Sequence, residues 1–339
     1  MASETRRGGA RRGRGSRRWA LPGTALATVC VLSACSGGLV EVGAHPSVAV
    51  PQPGSVVTGS PSQAPAGSAA ACVPAALSLR PTAGDAASAD VTRIKERDKL
   101  IVGVAQDQYL TGYLDSSGVE SGFDIDIARQ VEQAIFGTQD AAHIQFKAVT
   151  NAQRISALQT ADPNQAVDMV VDTFTITCDR ANQVLFSSVY YNARQRLLVL
   201  KNSGYKSLDD LGGKNVCAQY GSTSLERIRD HPSHPIAYGV TNLTDCLVAL
   251  QQGQVDAIST DDTILAGLAR QDPNTAVVGP AFGAEPYGIA VSRDSPGLIR
   301  FVNGVLEQIR GDGTWQKIYD NWLGPLLGAQ QPPPAQYAH

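Results

Sequence analysis

From about residue 90 onward, apolar positions alternate between two spacings. Residues 100–104 (Leu-Ile-Val-Gly-Val) form a short unbroken apolar run, and residues 144–149 alternate apolar with polar; both read as strands. Between them, residues 122–136 carry apolar side chains at helical spacing, with Asp124 near the start, where the helix dipole favours a carboxylate. Asn151 reads as the cap of a helix over 152–159, 162–164 (Asp-Pro-Asn) as a turn, and 167–171 as a buried strand. The pattern then restarts. Strands at 196–201, 215–219, 255–259 and 287–291 interleave with helical segments at 207–213, from Thr223, at 245–252 and at 263–270; helices over 297–310 and 314–322 close the chain. Strands alternating with helices predict parallel, doubly wound sheets, and 339 residues allow about two domains.

Polar residues gather where the apolar runs stop. After 167–171 come the hydroxyls of Thr173, Thr175 and Thr177, and then Arg180. The carboxyl ends of buried strands are where open α/β sheets bind ligands. An Arg there offers a planar fork that matches a carboxylate, although on these residues alone a solvated surface Arg fits as well. After 215–219, Gly221 permits a sharp turn, Ser222 and Thr223 open a helix, and Thr223 with Glu226 reads as a capping box. Such a start can receive an anion or be a plain cap. Asp261 follows the 255–259 strand.

Composition sets the compartment. Residues 1–18 carry seven Arg and one acid, and 19–34 are apolar and uncharged, a secretory signal too short for a membrane span of about 20 residues. It ends in Leu32-Ser-Ala-Cys35, which resembles a bacterial lipobox, with Cys35 as the lipidated new N-terminus. Residues 36–71 are rich in Pro, Gly, Ser, Ala and Val and cannot bury a core, so the segment to about residue 75 is expected to be a disordered tether, and 327–339 a flexible tail. The whole chain carries −3; without 1–34, 21 basic and 30 acidic residues remain, a charge of −9 that argues against a nucleic-acid partner. Beyond Cys30 and Cys35, four cysteines remain for an oxidising space. Three connectivities are possible; placement on the expected elements favours Cys217–Cys246 and Cys72–Cys178. No pair has metal-ligand spacing, and no metal or cofactor is expected.

With these residues in view, the chain resembles bacterial extracellular solute-binding proteins of family 3, the polar amino acid binders of ABC importers. Residues 122–128, 173–180 with Phe186-Ser187 and Tyr190-Tyr191, Gly221-Ser222-Thr223, 253–257 with Asp261, 287–290, Asn303, 312–315 and Trp322 carry the likeness, over about 95–324. The lipobox and long linker resemble an actinobacterial glutamine- or glutamate-binding lipoprotein. The resemblance implies a two-lobed type II periplasmic-binding-protein fold, lobe I at 90–193 plus 289–326 and lobe II at 194–288, with the ligand between the lobes. It implies that Arg180 pairs with the ligand's α-carboxylate, that Thr175 donates to the same group, that Thr173 lies near the α-amino group, and that Asp261 holds the α-ammonium. Gly221, Ser222 and Thr223 would face the α-carboxylate from lobe II. Where many relatives place an acid or Arg after the first strand, this chain has Ala105; Gln106, Asp107 and Tyr109 are the candidates to substitute. Arg154, in the first turn of its helix, resembles the Arg that acidic-amino-acid binders direct at a side-chain carboxylate. It predicts aspartate and glutamate ahead of asparagine and glutamine.

Other chemistries fail on their motifs. Gly212-Gly213-Lys214 lacks phosphate-loop spacing, 221–225 lacks the second glycine of a nucleophile elbow, and His231 and His234 flank Pro232 in an expected surface loop. The expectation is therefore a lipid-anchored, monomeric, non-enzymatic binder on the outer face of the cytoplasmic membrane, serving an ABC permease. Sensing through a membrane signalling receptor is the variant of that reading, and a periplasmic prephenate or arogenate dehydratase on the same fold is the rival.

Overall fold

A computed structural model describes residues 54–56 (backbone only) and 78–338. The signal segment, Cys35 and Cys72 lie outside the described residues. Two sheets organise the chain. The first has five strands in the order Ile144–Ala148, Leu100–Val104, Met169–Val170, Ala290–Val291 and Leu185–Phe186. Its first three are parallel, and Ala290–Val291 runs antiparallel to both neighbours. The second has six strands in the order Gly54–Val56, Ile236–Val240, Asn215–Gln219, Ala257–Asp261, Tyr191–Leu200 and Thr275–Tyr287. The result is an α/β fold of two lobes, one on each sheet.

Each lobe buries its sheet from both faces, which is why its strands read as apolar runs. In the first lobe one core joins Leu100, Val102 and Val104 to the helices Phe123–Phe136, Pro296–Gly311 and Thr314–Trp322. A second core, under Arg154–Gln159, gathers Ala157, Leu158, Val170, Phe174 and Phe186. Trp315, Tyr319, Phe123, Tyr190 and Tyr191 pack ring on ring at 5.2–6.5 Å, and Trp315 Nε1 donates to the Tyr190 carbonyl at 2.8 Å. The second lobe has matching cores on its two faces, around Leu250 and Ile258 and around Leu211 and Val216.

The chain crosses between lobes at 186–191 and again at 287–290. The crossings run side by side, with Tyr190 N–H donating to the Tyr287 carbonyl at 2.9 Å and Ser187 N–H to Ile289 at 2.8 Å. Cys217 and Cys246 are disulfide-bonded, Cα–Cα 5.6 Å, linking the strand Asn215–Gln219 to the helix Leu243–Gln251. Cys178 is also a disulfide cysteine; its expected partner, Cys72, lies outside the described residues.

Two segments differ from expectation. Gly54–Val56, within the stretch read as an unstructured tether, adds an antiparallel edge strand to Ile236–Val240, because that edge offers unpaired backbone groups. The tail is not loose: Tyr337 is 7 % exposed, its hydroxyl donates to Glu307 at 2.7 Å, Arg80 lies 5.0 Å from its ring centroid, and Ala338 N–H donates to the Ser78 carbonyl. One aromatic anchor at the chain end outweighs the polyproline run before it.

Candidate functional site

The first lobe presents its site residues from the loop after Met169–Val170. Thr173 sits at φ +42°, a left-handed conformation that a β-branched residue adopts at a cost of about 1–3 kcal/mol. Asp124 holds it there, accepting the Thr173 N–H at 2.7 Å and the Tyr190 hydroxyl at 2.8 Å. Burial pushes the Asp124 carboxyl up to about 7. The Thr173 hydroxyl donates to Gln108 Oε1 at 3.2 Å. Thr177 caps the short helix Cys178–Ala181, from which Arg180 projects. Arg180 Nη1 donates to the Thr175 carbonyl at 2.7 Å, and its guanidinium carbon stands 5.0 Å from the Phe174 ring centroid. Burial first, and then the positive charge of Arg154, pull the Arg180 pKa down to about 10.

The second lobe answers with a helix start and a strand end. Ser222, not Thr223, caps Thr223–Arg229, accepting the Leu225 N–H at 3.1 Å. The expected Thr223–Glu226 capping box does not form, because Thr223 donates its hydroxyl at 2.7 Å to Glu285, a buried acid paired with Arg227 at 2.5 Å. Gly221 has φ +73°, and a Cβ there would stand 3.0 Å from the Ala152 backbone; glycine lets the opposite lobe approach. Asp261 ends the strand Ala257–Asp261, buried to 4 %, accepting the Tyr287 hydroxyl at 2.6 Å and the Ser224 hydroxyl at 3.5 Å. Burial, followed by repulsion from Glu285, holds its carboxyl well above the usual carboxylate range.

The lobes meet around these groups. Arg180 Nη2 donates to the Gly221 carbonyl at 3.0 Å, Asn151 Nδ2 to Gln219 Oε1 at 3.2 Å, and Leu243 N–H to Asp107 Oδ2 at 2.5 Å. They close on a small cavity of about 10 Å³ bounded by Asn151, Arg154, Thr173, Thr175, Arg180, Ser222, Thr223 and Asp261, with Ser224, Thr260 and Ile264. Asn151 also borders a larger, open cavity of about 230 Å³ that Gln106, Asp107, Asp172 and Gln219 line.

Several sequence expectations change. Tyr109 borders neither cavity; it is 38 % exposed and packs against the Tyr113 ring at 5.1 Å, since the hairpin Asp107–Gln108 to Gly112–Leu114 turns it outward. Gln106 lines the larger cavity but gives its amide N–H to Glu120 at 2.5 Å. Asp107 serves the opposite lobe, supplying the start of Leu243–Gln251 with the acceptor that Asn242 does not provide. Asn151 does not cap the following helix, Arg154–Gln159, whose N-cap position is Gln153. Arg154 is not a free second cation: Nε donates to the Asn151 carbonyl at 3.3 Å, Nη1 to the Asp172 carbonyl at 2.9 Å, and the Asp172 carboxylate lies 3.8 Å away. Sequence reasoning passed over Asp172, although an acid directly after a buried strand was there to be read.

A family model for bacterial extracellular solute-binding proteins, family 3, matches residues 100–325. The chain belongs to that family. Among relatives of this solute-binding protein, the ABC transporter glutamine-binding protein of Bacillus subtilis is 41 % identical over 232 residues, covering 68 % of this chain and 83 % of the relative. The glutamate-binding protein of Corynebacterium glutamicum is 31 % identical over 239 residues, covering 68 % and 80 %. Among solved structures, an ancestral arginine-binding protein bound to glutamine superposes with a TM-score of 0.62 at 35 % identity, covering 67 % of this chain and 99 % of that one. The solute receptor for L-cysteine of Neisseria gonorrhoeae gives a TM-score of 0.65 at 27 % identity.

Proposed function

We propose that the protein captures a polar amino acid with an acidic or amide side chain outside the membrane and delivers it to an ABC-type permease, without catalysing a reaction. One observation carries this reading: Arg180 and Asp261, from opposite lobes, border the same cavity. An amino acid's α-carboxylate and α-ammonium need an arginine and a carboxylate so placed. Arg180 takes the carboxylate, with Thr175, Ser222 and Thr223 at the same cavity wall. Asp261 takes the ammonium, with Thr173 nearby. Because each lobe supplies one half of the clamp, occupancy favours the closed arrangement, and closure is what a permease can read. Relatives named for glutamine and glutamate binding support the ligand class and the import role.

The experiment is a thermal-shift screen over the twenty common amino acids. A ligand that binds only the folded protein raises its melting temperature, by about 2.7 kcal/mol of added stability at a hundredfold excess over Kd. Glutamine, glutamate, asparagine or aspartate should give the largest shift; a largest shift from leucine or arginine contradicts the assignment. We further propose that Cys35 carries the lipid that holds the protein at the outer face of the membrane. Cys35→Ala should move the protein to the soluble fraction, and its retention in the membrane refutes the anchor.

A further inference from the structure

Asp172 stands at the carboxyl end of the central parallel strand Met169–Val170, directly before the strained Thr173. It is 1 % exposed, and neither carboxylate oxygen has a hydrogen-bond partner. An unpaired buried acceptor costs about 1–3 kcal/mol, and more when charged, so such a group in a binding cleft awaits a donor. Asp172 lines the open cavity of about 230 Å³. Its neighbour Arg154, with Nε at 3.8 Å from Oδ2, is too far for a hydrogen bond and lines the clamp cavity. Asn151 borders both cavities. Burial pushes the Asp172 carboxyl up to about 8 against the pull of Arg154, so beside the clamp the protein presents a donor edge at Arg154 and, at Asp172, a carboxyl that a ligand donor would draw into its ionised, accepting form.

We infer that Asp172 selects the ligand's side chain: its carboxylate accepts the N–H₂ of a carboxamide, while Arg154 donates to the carboxamide oxygen, so that glutamine or asparagine is preferred over glutamate or aspartate. This rests on the amino-acid-binding reading above and narrows it. A carboxamide carries both donors and an acceptor and satisfies both edges. A side-chain carboxylate carries acceptors only and meets Asp172 oxygen to oxygen. An ammonium or guanidinium satisfies Asp172 but brings a like charge up to Arg154. Asp172 is thus the element that rejects the acids, and Arg154 the element that rejects the bases. A ligand N–H on Asp172 also favours its ionised form, consistent with the acceptor role. A protonated Asp172 would instead donate to a carboxylate and favour glutamate, and the ligand series separates the two.

The test is calorimetry with L-glutamine, L-glutamate, L-asparagine and L-aspartate on the wild-type protein, Asp172→Asn and Asp172→Ala, with melting curves for each. The wild type should bind one amide about tenfold or more tighter than the matching acid, and both variants should lower that ratio by about tenfold. A wild type that prefers the acid overturns the inference and leaves the amino-acid-binding reading standing. Variants that weaken all four ligands by the same factor give Asp172 a structural role and also overturn it. If neither variant melts cooperatively, the wild-type ratio alone decides. A wild type that binds none of the four brings down the underlying reading itself.

Discussion

Arg180→Ala and Asp261→Ala should each abolish measurable amino-acid binding while the protein stays folded. Arg180 is half-buried where the lobes meet, already committed to the carbonyls of Thr175 and Gly221 and stacked near Phe174. A ligand carboxylate arriving there finds a fork held in place, so little side-chain entropy remains to be lost on binding. Removing either partner of a buried charge pair costs about 3–5 kcal/mol, because the other charge is left without compensation. That corresponds to a loss of about two to four orders of magnitude in affinity. Neither residue belongs to a hydrophobic core cluster, so a cooperative melting transition should persist in both variants. Calorimetry with the amino acid giving the largest thermal shift checks the result. Affinity within about tenfold of the wild type in either variant removes that residue from the clamp.

The largest stability effect is expected at Cys217–Cys246. Both side chains are fully buried in the core of the second lobe, and they are 29 residues apart in sequence. Closing a loop of that length restricts the unfolded chain by about 3–4 kcal/mol on the chain-entropy account. The Cys217→Ala, Cys246→Ala double variant should lose about that much, plus the packing of two buried sulfur atoms. Denaturant unfolding of oxidised wild type against the double variant measures it; a difference under about 1 kcal/mol contradicts the entropic argument.

The parallel strands were legible because burial on both faces leaves unbroken apolar runs, as at Leu100–Val104, and the helices because their apolar faces keep helical spacing, as at Phe123–Phe136. Two of the longer strands were not. Ile236–Val240 follows a Pro- and His-containing loop that hides its start, and Thr275–Tyr287 contains Gly279, Pro280, Gly283 and Pro286, which read as breakers. Thr275–Tyr287 survives as an edge strand with a register shift between Val278 and Gly283, where missing donors and kinks are tolerated.

At the site, the polar residues that follow or end buried strands were readable: Arg180 and Asp261 border one cavity. What spacing could not supply was pairing. Arg154 reads from the sequence as a cation for a ligand carboxylate. Only the fold brings Asp172, eighteen positions later, to 3.8 Å from it. Likewise Asp107 and Leu243 lie 136 positions apart and meet only when the lobes do.

The account turns on the claim that both ends of an amino-acid backbone are gripped, one from each lobe. Calorimetry with free glutamine, N-acetylglutamine and glutamine α-methyl ester tests it most directly, because the side chain is constant and only the α-groups change. Free glutamine should bind, while the acetylated compound, which cannot give Asp261 an ammonium, and the ester, which cannot give Arg180 a carboxylate, should each lose about 3 kcal/mol or more. Capped compounds that bind as tightly as free glutamine would contradict the account.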